Sequence, residues 1–370
     1  MINAELKFGF NDCELWVWYN RHIKEGVFIM PTVTSVLSAY HSLSTADQNA
    51  VKAAIIRHLG NLVDMETCVK NERFKTGPVC PFCGGTHIVR NGRFRNKQRY
   101  VCRDCGKSFF VTSNSIVSGT HKGVDVWEQY IDCMMNGYSL RKSAAICGIH
   151  YNTAFAWRHK ILDALQFMAE DVVLDGIIEA DETFFPVSYK GNHKKNRTFS
   201  LPRAAHKRGH SAHTRGISRE KVCVPCAVNR DGRSIAKPAN LGRVSTKDLH
   251  KVYDGRIEPG STMVTDKMNS YCRFSKANNI NLVQVQSGKA KKGIYHIQHI
   301  NNYHSQLKQF MSRFKGVSSK YLDNYLIWNN LVNYSKEDSF EKQQLFLRFV
   351  LAVIFKETFA QISCRPPIAA

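Results

Sequence analysis

The chain has 370 residues, 43% of them hydrophobic, which excludes a disordered protein and suits two or three packed domains. Fifty-two Lys and Arg against thirty Asp and Glu leave a net charge of +22, an excess that points to a polyanionic partner, most simply nucleic acid. No apolar run of about 18 residues exists to cross a membrane, and the start MINAELKFGF has no secretory signal pattern. Twelve cysteines in such a chain predict a reducing, cytoplasmic setting at the nucleoid, in which some thiols bind metal.

Residues 1–72 read as a helical N-terminal segment. Thr45 to Gln48 forms a capping box ahead of Val51, Ile55, Leu59 and Leu62, which recur at helical spacing. Residues 73–115 are rich in Cys, Gly, Arg and aromatics. CPFC at 80–83 and CRDC at 102–105 are 18 residues apart, the two-knuckle spacing of a zinc ribbon. Gly84, Gly85 and Gly106 supply the backbone freedom that such knuckles need. Four thiolates from Cys80, Cys83, Cys102 and Cys105 leave no open coordination position, so the expected zinc is structural.

Residues 121–168 return to helical periodicity. A helix over 125–136 is followed by a short one, LRKSAAICG, capped by Ser139 and ended by Gly148. A third begins at Asn152 or Thr153 and carries Arg158, His159 and Lys160. This is the pattern of a helix-turn-helix, and Arg141, Lys142, Arg158, His159 and Lys160 are its expected DNA contacts.

Residues 175–334 alternate strand-like runs (177–183, 221–229, 262–266, 282–286) with helix-like runs (245–253, 268–279, 299–314), an α/β domain. Residues 187–220 interrupt it with a long basic loop, where Lys207 and Arg208 are further expected DNA contacts. CVPC at 223–226 stands alone in an apolar run and reads as buried strand cysteines. The tail over 335–370 is helical; its apolar stretch 345–355 carries Arg348 and reads as a buried helix.

Two strand-like runs end in carboxylates: IIEADET at 177–183 and STMVTD at 261–266. If Asp181 and Asp266 converge beside one sheet, they can hold hard divalent cations, Mg²⁺ or Mn²⁺, as phosphoryl-transfer chemistry requires. In HIQHINNYHSQLKQFMSRF, Asn301 and Lys308 are two helical turns apart and share a face, with His304 and Ser305 close to the same stripe. An Asn amide oxygen can bind metal, and a Lys can bind a phosphate as a point charge.

Taken together, the ribbon, FAWRHKIL, ADETFF at 180–185, KRG at 207–209, RGISREKV at 215–222, VTDKMNSY at 264–271 and HINNYHSQLKQFMSRFKGVSSKYLDNYLIW at 299–328 resemble the zinc-ribbon, ISXO2-like insertion-sequence transposases of the DDE group. The resemblance covers roughly residues 75–334. It implies an RNase H-like core behind an N-terminal helical segment, zinc ribbon and helix-turn-helix. It also implies metal ligands Asp181, Asp266 and Asn301, with Lys308 seven residues on. Asn301 stands where the commoner pattern has Glu, one negative charge fewer at the metals. The implied reaction is metal-dependent hydrolysis at the element end, freeing a 3′-hydroxyl that then attacks target DNA, with the protein oligomeric on its terminal inverted repeats. Two alternatives remain at this stage: a DNA-binding protein with a decayed nuclease core, and an RNase H-like nuclease that cuts without joining.

Overall fold

The computed structural model describes residues 32–60, 65–192, 200–203, 205, 216–285, 293–333 and 339–368. Contacts divide the chain into two units, residues 1–59 and 60–370. The first holds helices α1 (Val33–His41) and α2 (Thr45–Gly60). The cap of α2 lies one residue earlier than the sequence suggests: the Ser44 hydroxyl accepts the Asp47 N–H at 3.2 Å, and donates to the Asp47 carboxylate at 2.6 Å.

In the second unit the first described helix is α3 (Met65–Arg73). Three strands follow as an antiparallel sheet: β1 (Ile88–Phe94), β2 (Lys97–Cys102) and β3 (Ser108–Phe110). Their core is small: Cys80, Tyr100, Cys102 and Phe109, with Phe74 and Ile88 at its edge. Arg73 ties this module to the rest. Its guanidinium donates to the carbonyls of Val111, Ser113, Asn114 and Val353, and burial lowers its pKa to about 10.

Three helices follow: α4 (Val124–Met135), α5 (Leu140–Ile146) and α6 (Tyr151–Glu170). Ser139 caps α5 as expected, accepting the Lys142 N–H at 3.3 Å, and Gly148 ends it in a left-handed conformation with φ of 57°. The third helix starts slightly earlier than expected, capped by His150. These helices do not form a separate core. Trp127, Tyr130, Trp157 and Leu162 pack in one cluster with Tyr325 and Trp328 of α10 (Leu322–Trp328), Phe346 and Val350 of α11 (Ser339–Ala352), and Ile362 of α12 (Phe359–Ser363). The C-terminal tail is therefore the other half of this helical core. Arg365 seals the junction, pairing with Asp163 and, at 2.7 Å, with Glu357.

The α/β domain is built on β4 (Ile177–Pro186), β5 (Lys221–Asn229), β6 (Ser234–Ala236), β7 (Asn240–Leu241), β8 (Thr262–Thr265) and β9 (Asn281–Gln284). The sheet order is β6-β5-β4-β8-β9, with β7 beside one end of β5. β4, β5 and β6 are antiparallel, while β8 and β9 run parallel to β4. Helices α7 (Thr246–Tyr253) and α8 (Asn269–Ala277) cover one face through Leu249, Tyr253, Tyr271 and Phe274. Helices α9 (Gln298–Ser312) and α10 cover the other through Ile300, Tyr303, Leu307 and Leu326. Because both faces are covered, β5 is a continuous buried run rather than an alternating one. Its CVPC cysteines point to opposite faces, Cys223 into one core and Cys226 into the other. Burial pushes the Cys223 thiol up to about 12, which makes it inert.

Candidate active site

Strand alternation decides which carboxylates meet. On β4, Ile178 and Ala180 enter the core under α7 and α8, so Glu179 and Asp181 face α9. The parallel register pairs Ile177 with Thr262, Ile178 with Met263 and Glu179 with Val264. Two further steps set Asp181 beside Asp266, just past the end of β8, on neighbouring strands about 4.8 Å apart. Burial and the Asp266 charge raise the Asp181 pKa to about 6, against a backbone hydrogen bond and the Lys308 charge, which lower it. Burial also raises Asp266.

This pair suits a divalent cation. The Asp266 backbone carbonyl is held by the Gln284 amide at 3.1 Å and the Met268 N–H at 3.0 Å. Its carboxylate Oδ1, by contrast, is buried without a partner. A buried acceptor in that state costs free energy, and two crowded carboxylates repel, until a cation satisfies both. Hard carboxylate oxygens are the donor set that Mg²⁺ or Mn²⁺ prefers.

Helix α9 crosses this pair with the expected stripe. His304 reaches it, with Nδ1 3.8 Å from Asp181 Oδ2. Burial and the Lys308 charge lower its pKa to about 4, so it faces Asp181 as a neutral imidazole, and its Nε2 is buried without a partner. Asn301 lies one turn toward the start of α9 and Lys308 one turn toward its end, both exposed. Lys308 acts electrostatically on both Asp181 and His304. His304 thus lies beside the carboxylates together with the exposed Asn301, which makes no hydrogen bond to either Asp among the described residues.

Glu179 and Glu182 have other duties. Glu182 points to the opposite face of β4, where it accepts the Tyr271 hydroxyl at 2.6 Å; burial raises its pKa to about 7. Glu179, 1% exposed, accepts the backbone N–H groups of His299 at 2.7 Å and Ile300 at 3.1 Å, at the first turn of α9. A carboxylate there satisfies orphan donors and complements the helix dipole. It therefore fixes where α9 starts, and with it the positions of Asn301, His304 and Lys308. Glu179, His296 and His299 also lie close enough to share a metal ion. The Arg230 guanidinium already sits 3.1 Å from Glu179 Oε1, however, and would repel one. The anchoring role of Glu179 escaped the sequence; its only signal was an acid two residues before Asp181, on the same strand face.

The four ribbon cysteines converge as their spacing predicts. Cys80 Sγ lies 3.7 Å from Cys105 Sγ, and Cys83 Sγ 3.6 Å from Cys102 Sγ. A tetrahedron with metal–sulfur bonds of about 2.3 Å has edges of about 3.8 Å. Gly84 and Gly106 turn the two knuckles with φ of 75° and 71°, as their positions required.

The expected DNA-contact residues divide. Arg141 and Lys142 are exposed on α5, with Lys142 Nζ over the Tyr138 ring. Arg158 and His159 are not on the surface: each is 1% exposed. Arg158 donates to the Tyr138 carbonyl at 2.7 Å and lies 4.8 Å from the Trp328 ring. His159 packs between Phe155 and Tyr321. Lys160 is half-buried near Glu357 and Lys356, and burial lowers its pKa. The reason is helical phase. Ala154, Trp157, Arg158, Ile161, Leu162 and Leu165 form one buried stripe at the 3.6-residue period, which was visible in the sequence. The exposed residues of α6 are Tyr151 and Asn152 in its first turn and Phe167 and Glu170 near its end. Lys207 and Arg208 lie outside the described residues.

Residues 173–327 match the ISXO2-like transposase domain, and residues 64–108 match the transposase zinc-ribbon domain. A relative described as an uncharacterized protein in transposable element ISH50, from Halobacterium salinarum, is 25% identical over 260 residues, 69% of this chain and 84% of its own. Among solved structures, the Mos1 transposase paired-end complex with left transposon end has a TM-score of 0.25 at 9% identity, over 61% of this chain and 75% of that one. The Mos1 strand transfer complex has a TM-score of 0.23 at 8% identity, over 60% and 73%. Among the described residues no helix is long and apolar enough to cross a membrane. With the two domain matches together spanning more than half of its length, in the order ribbon then α/β domain, the chain belongs to the zinc-ribbon, ISXO2-like transposases of insertion sequences.

Proposed function

We propose that this chain cuts the ends of its own insertion sequence and joins them to target DNA, using Asp181 and Asp266 as the metal-binding pair of an RNase H-like core. The observation that carries the reading is the juxtaposition of those two carboxylates on adjacent parallel strands beneath α9, with an unpaired oxygen on Asp266 and Lys308 beside them. The sheet supports the RNase H-like reading: three antiparallel strands, then two parallel ones added on the far side of the first. When bound, Mg²⁺ or Mn²⁺ supplies positive charge that activates water and steadies the reacting phosphate. Asp181 and Asp266 would hold it, with Asn301 or His304 as the neutral third donor. Lys308, exposed and cationic, would position the terminal phosphate. Glu179 keeps that helix in register with the strand.

End recognition is assigned to the ribbon, with a structural zinc at Cys80, Cys83, Cys102 and Cys105, and to α4–α6 acting as a helix-turn-helix. Such motifs read bases from the start of the recognition helix. The exposed Tyr151 and Asn152, together with Arg141 and Lys142, replace Arg158, His159 and Lys160 as the base-reading and phosphate-contacting set. Both ends of an element must be held together for joining, so the active form is an oligomer on DNA.

The test is an in vitro reaction with duplex ends from the repeats flanking this gene, a target plasmid, and Mg²⁺ or Mn²⁺. Wild-type protein should cut at the element junction and join the freed 3′-ends. Asp181→Ala and Asp266→Ala should each abolish both steps while end binding survives. Full activity of Asp266→Ala would sink the assignment.

A further inference from the structure

Beside the carboxylate pair lies a separate concavity of about 590 Å³, within the size range of sites that enclose a small organic ligand. Its apolar floor comes from Phe185 at the outgoing end of β4, with Met311 of α9 and Val317 of the turn beyond it. Lys190, Arg203, Lys308 and Lys315 line it, and no carboxylate does among the described lining residues. Lys190 is committed to the architecture: its Nζ donates to the carbonyls of Lys315 at 3.0 Å and Gly316 at 2.9 Å, which holds the turn closed over the pocket. The Arg203 guanidinium lies over the Tyr189 ring, 4.9 Å from its centroid. The side-chain amines of Lys308 and Lys315 make no hydrogen bond or ion pair among the described residues, so their charges are available to a ligand.

Two features locate the occupant. Lys308 belongs to both places, lining this pocket and acting electrostatically on Asp181. β4 also runs directly from one to the other. At about 3.3 Å per residue, Phe185 lies on the order of 13 Å along the strand from Asp181, a reach of about two nucleotides.

We propose that the pocket receives one unstacked nucleotide of the DNA strand whose phosphate lies at Asp181 and Asp266. The inference rests on the function proposed above. An aromatic and aliphatic floor takes a base face, and surrounding cations take the flanking phosphates; that pairing is how proteins hold bases taken out of the stack. A duplex backbone requires only an exposed band of charge and gains nothing from a concave apolar floor. Withdrawing one base also opens the strand, so that its backbone can descend to the half-buried Asp181.

The experiment uses full-length protein and a duplex spanning the junction between the terminal repeat beside this gene and its flanking DNA. A single abasic nucleotide is moved along each strand, and binding is measured without divalent metal. Unstacking a paired base costs free energy, and the abasic duplex no longer bears that cost. One position near the junction should therefore bind about tenfold or more tightly than intact DNA. A thymine placed there should become permanganate-reactive only when protein is bound. Ser312→Trp, an exposed substitution on the pocket wall, should cut intact junctions at least tenfold more slowly, and the abasic junction should restore cutting. A flat abasic profile, in a protein that still prefers and cuts element ends, would overturn the proposal. So would wild-type cutting by Ser312→Trp. Competition by an acidic peptide with no abasic effect would reassign the pocket to a protein partner. Failure of wild-type protein to distinguish element ends from random DNA would instead refute the proposed function, and it shows before any abasic duplex is used.

Discussion

Replacing Arg158 separates a structural cation from a DNA-reading one. In Arg158→Met the aliphatic volume is largely kept, but the guanidinium that binds the Tyr138 carbonyl and lies against Trp328 is lost. A hydrogen bond from a charged donor is worth about 1.5–3 kcal/mol. A desolvated cation–π contact adds on the order of 1–2 kcal/mol. Removing a buried charge returns part of this, so the expected net loss is about 2–3 kcal/mol. At roughly 2–4 °C per kcal/mol for units of this size, the melting temperature should fall by about 4–12 °C. The assay pairs a thermal melt with titration of end and random duplexes, at a temperature where both proteins are folded. Both affinities should match wild type per folded molecule, because a side chain 1% exposed cannot touch DNA. An unchanged melt with a selective loss of end binding would refute this and return Arg158 to the DNA surface. Asn152→Ala should show the opposite pattern: an unchanged melt and reduced preference for ends.

Purified protein should carry about one zinc per chain, and Cys83→Ser should unfold the ribbon while the α/β domain still melts cooperatively, because a core of two aromatic rings cannot replace a metal bond network worth on the order of 10 kcal/mol; full zinc-free folding, seen by metal analysis and near-ultraviolet circular dichroism, would contradict it. Glu179→Gln should cost roughly 2–4 kcal/mol by uncapping α9 and stranding Arg230, and should slow cutting, whereas wild-type stability would mean that α9 is positioned by its apolar face alone. Asn301→Ala should reduce cutting less than Asp181→Ala, and His304→Ala should match or exceed the Asn301 effect; the reverse order in metal-dependence curves would make Asn301 the third donor. His159 gives a pH dependence. Burial lowers its pKa from 6.5 to about 3, so its neutral form is the folded one. Stability is then full above about pH 6.5 and lost as pH falls, by about 2 kcal/mol at pH 5. His159→Phe should flatten that slope between pH 7 and pH 5, measured as the difference from wild type in denaturant midpoints; parallel slopes would exclude His159 as the cause.

Much of the site was legible in the sequence because its signals are local. The CxxC knuckles and their spacing fix a four-sulfur cluster wherever the rest of the chain goes, and the 3.6 Å and 3.7 Å sulfur separations follow from that local geometry. Ser139 and Gly148 start and stop α5 through their own backbone preferences. Two apolar runs carrying Asp181 and Asp266 announce strands, although β4 continues to Pro186 and only Asp266 stands at a strand end, and the seven-residue step from Asn301 to Lys308 announces one helix face. Tertiary structure decided what depends on contacts distant in the chain. Parallel register, set by burial on both faces of the sheet, put Asp181 beside Asp266 and turned Glu182 away. The height of α9 above the sheet, fixed by Glu179 at its first turn, brought His304 to 3.8 Å from Asp181. The tail over 335–370 looked separable in sequence, yet its apolar face completes the core of α4–α6, while Trp328 covers Arg158 and Tyr321 covers His159. A basic side chain signals its charge in the sequence; only the face against which its helix packs determines whether that charge meets DNA or a neighbouring carbonyl.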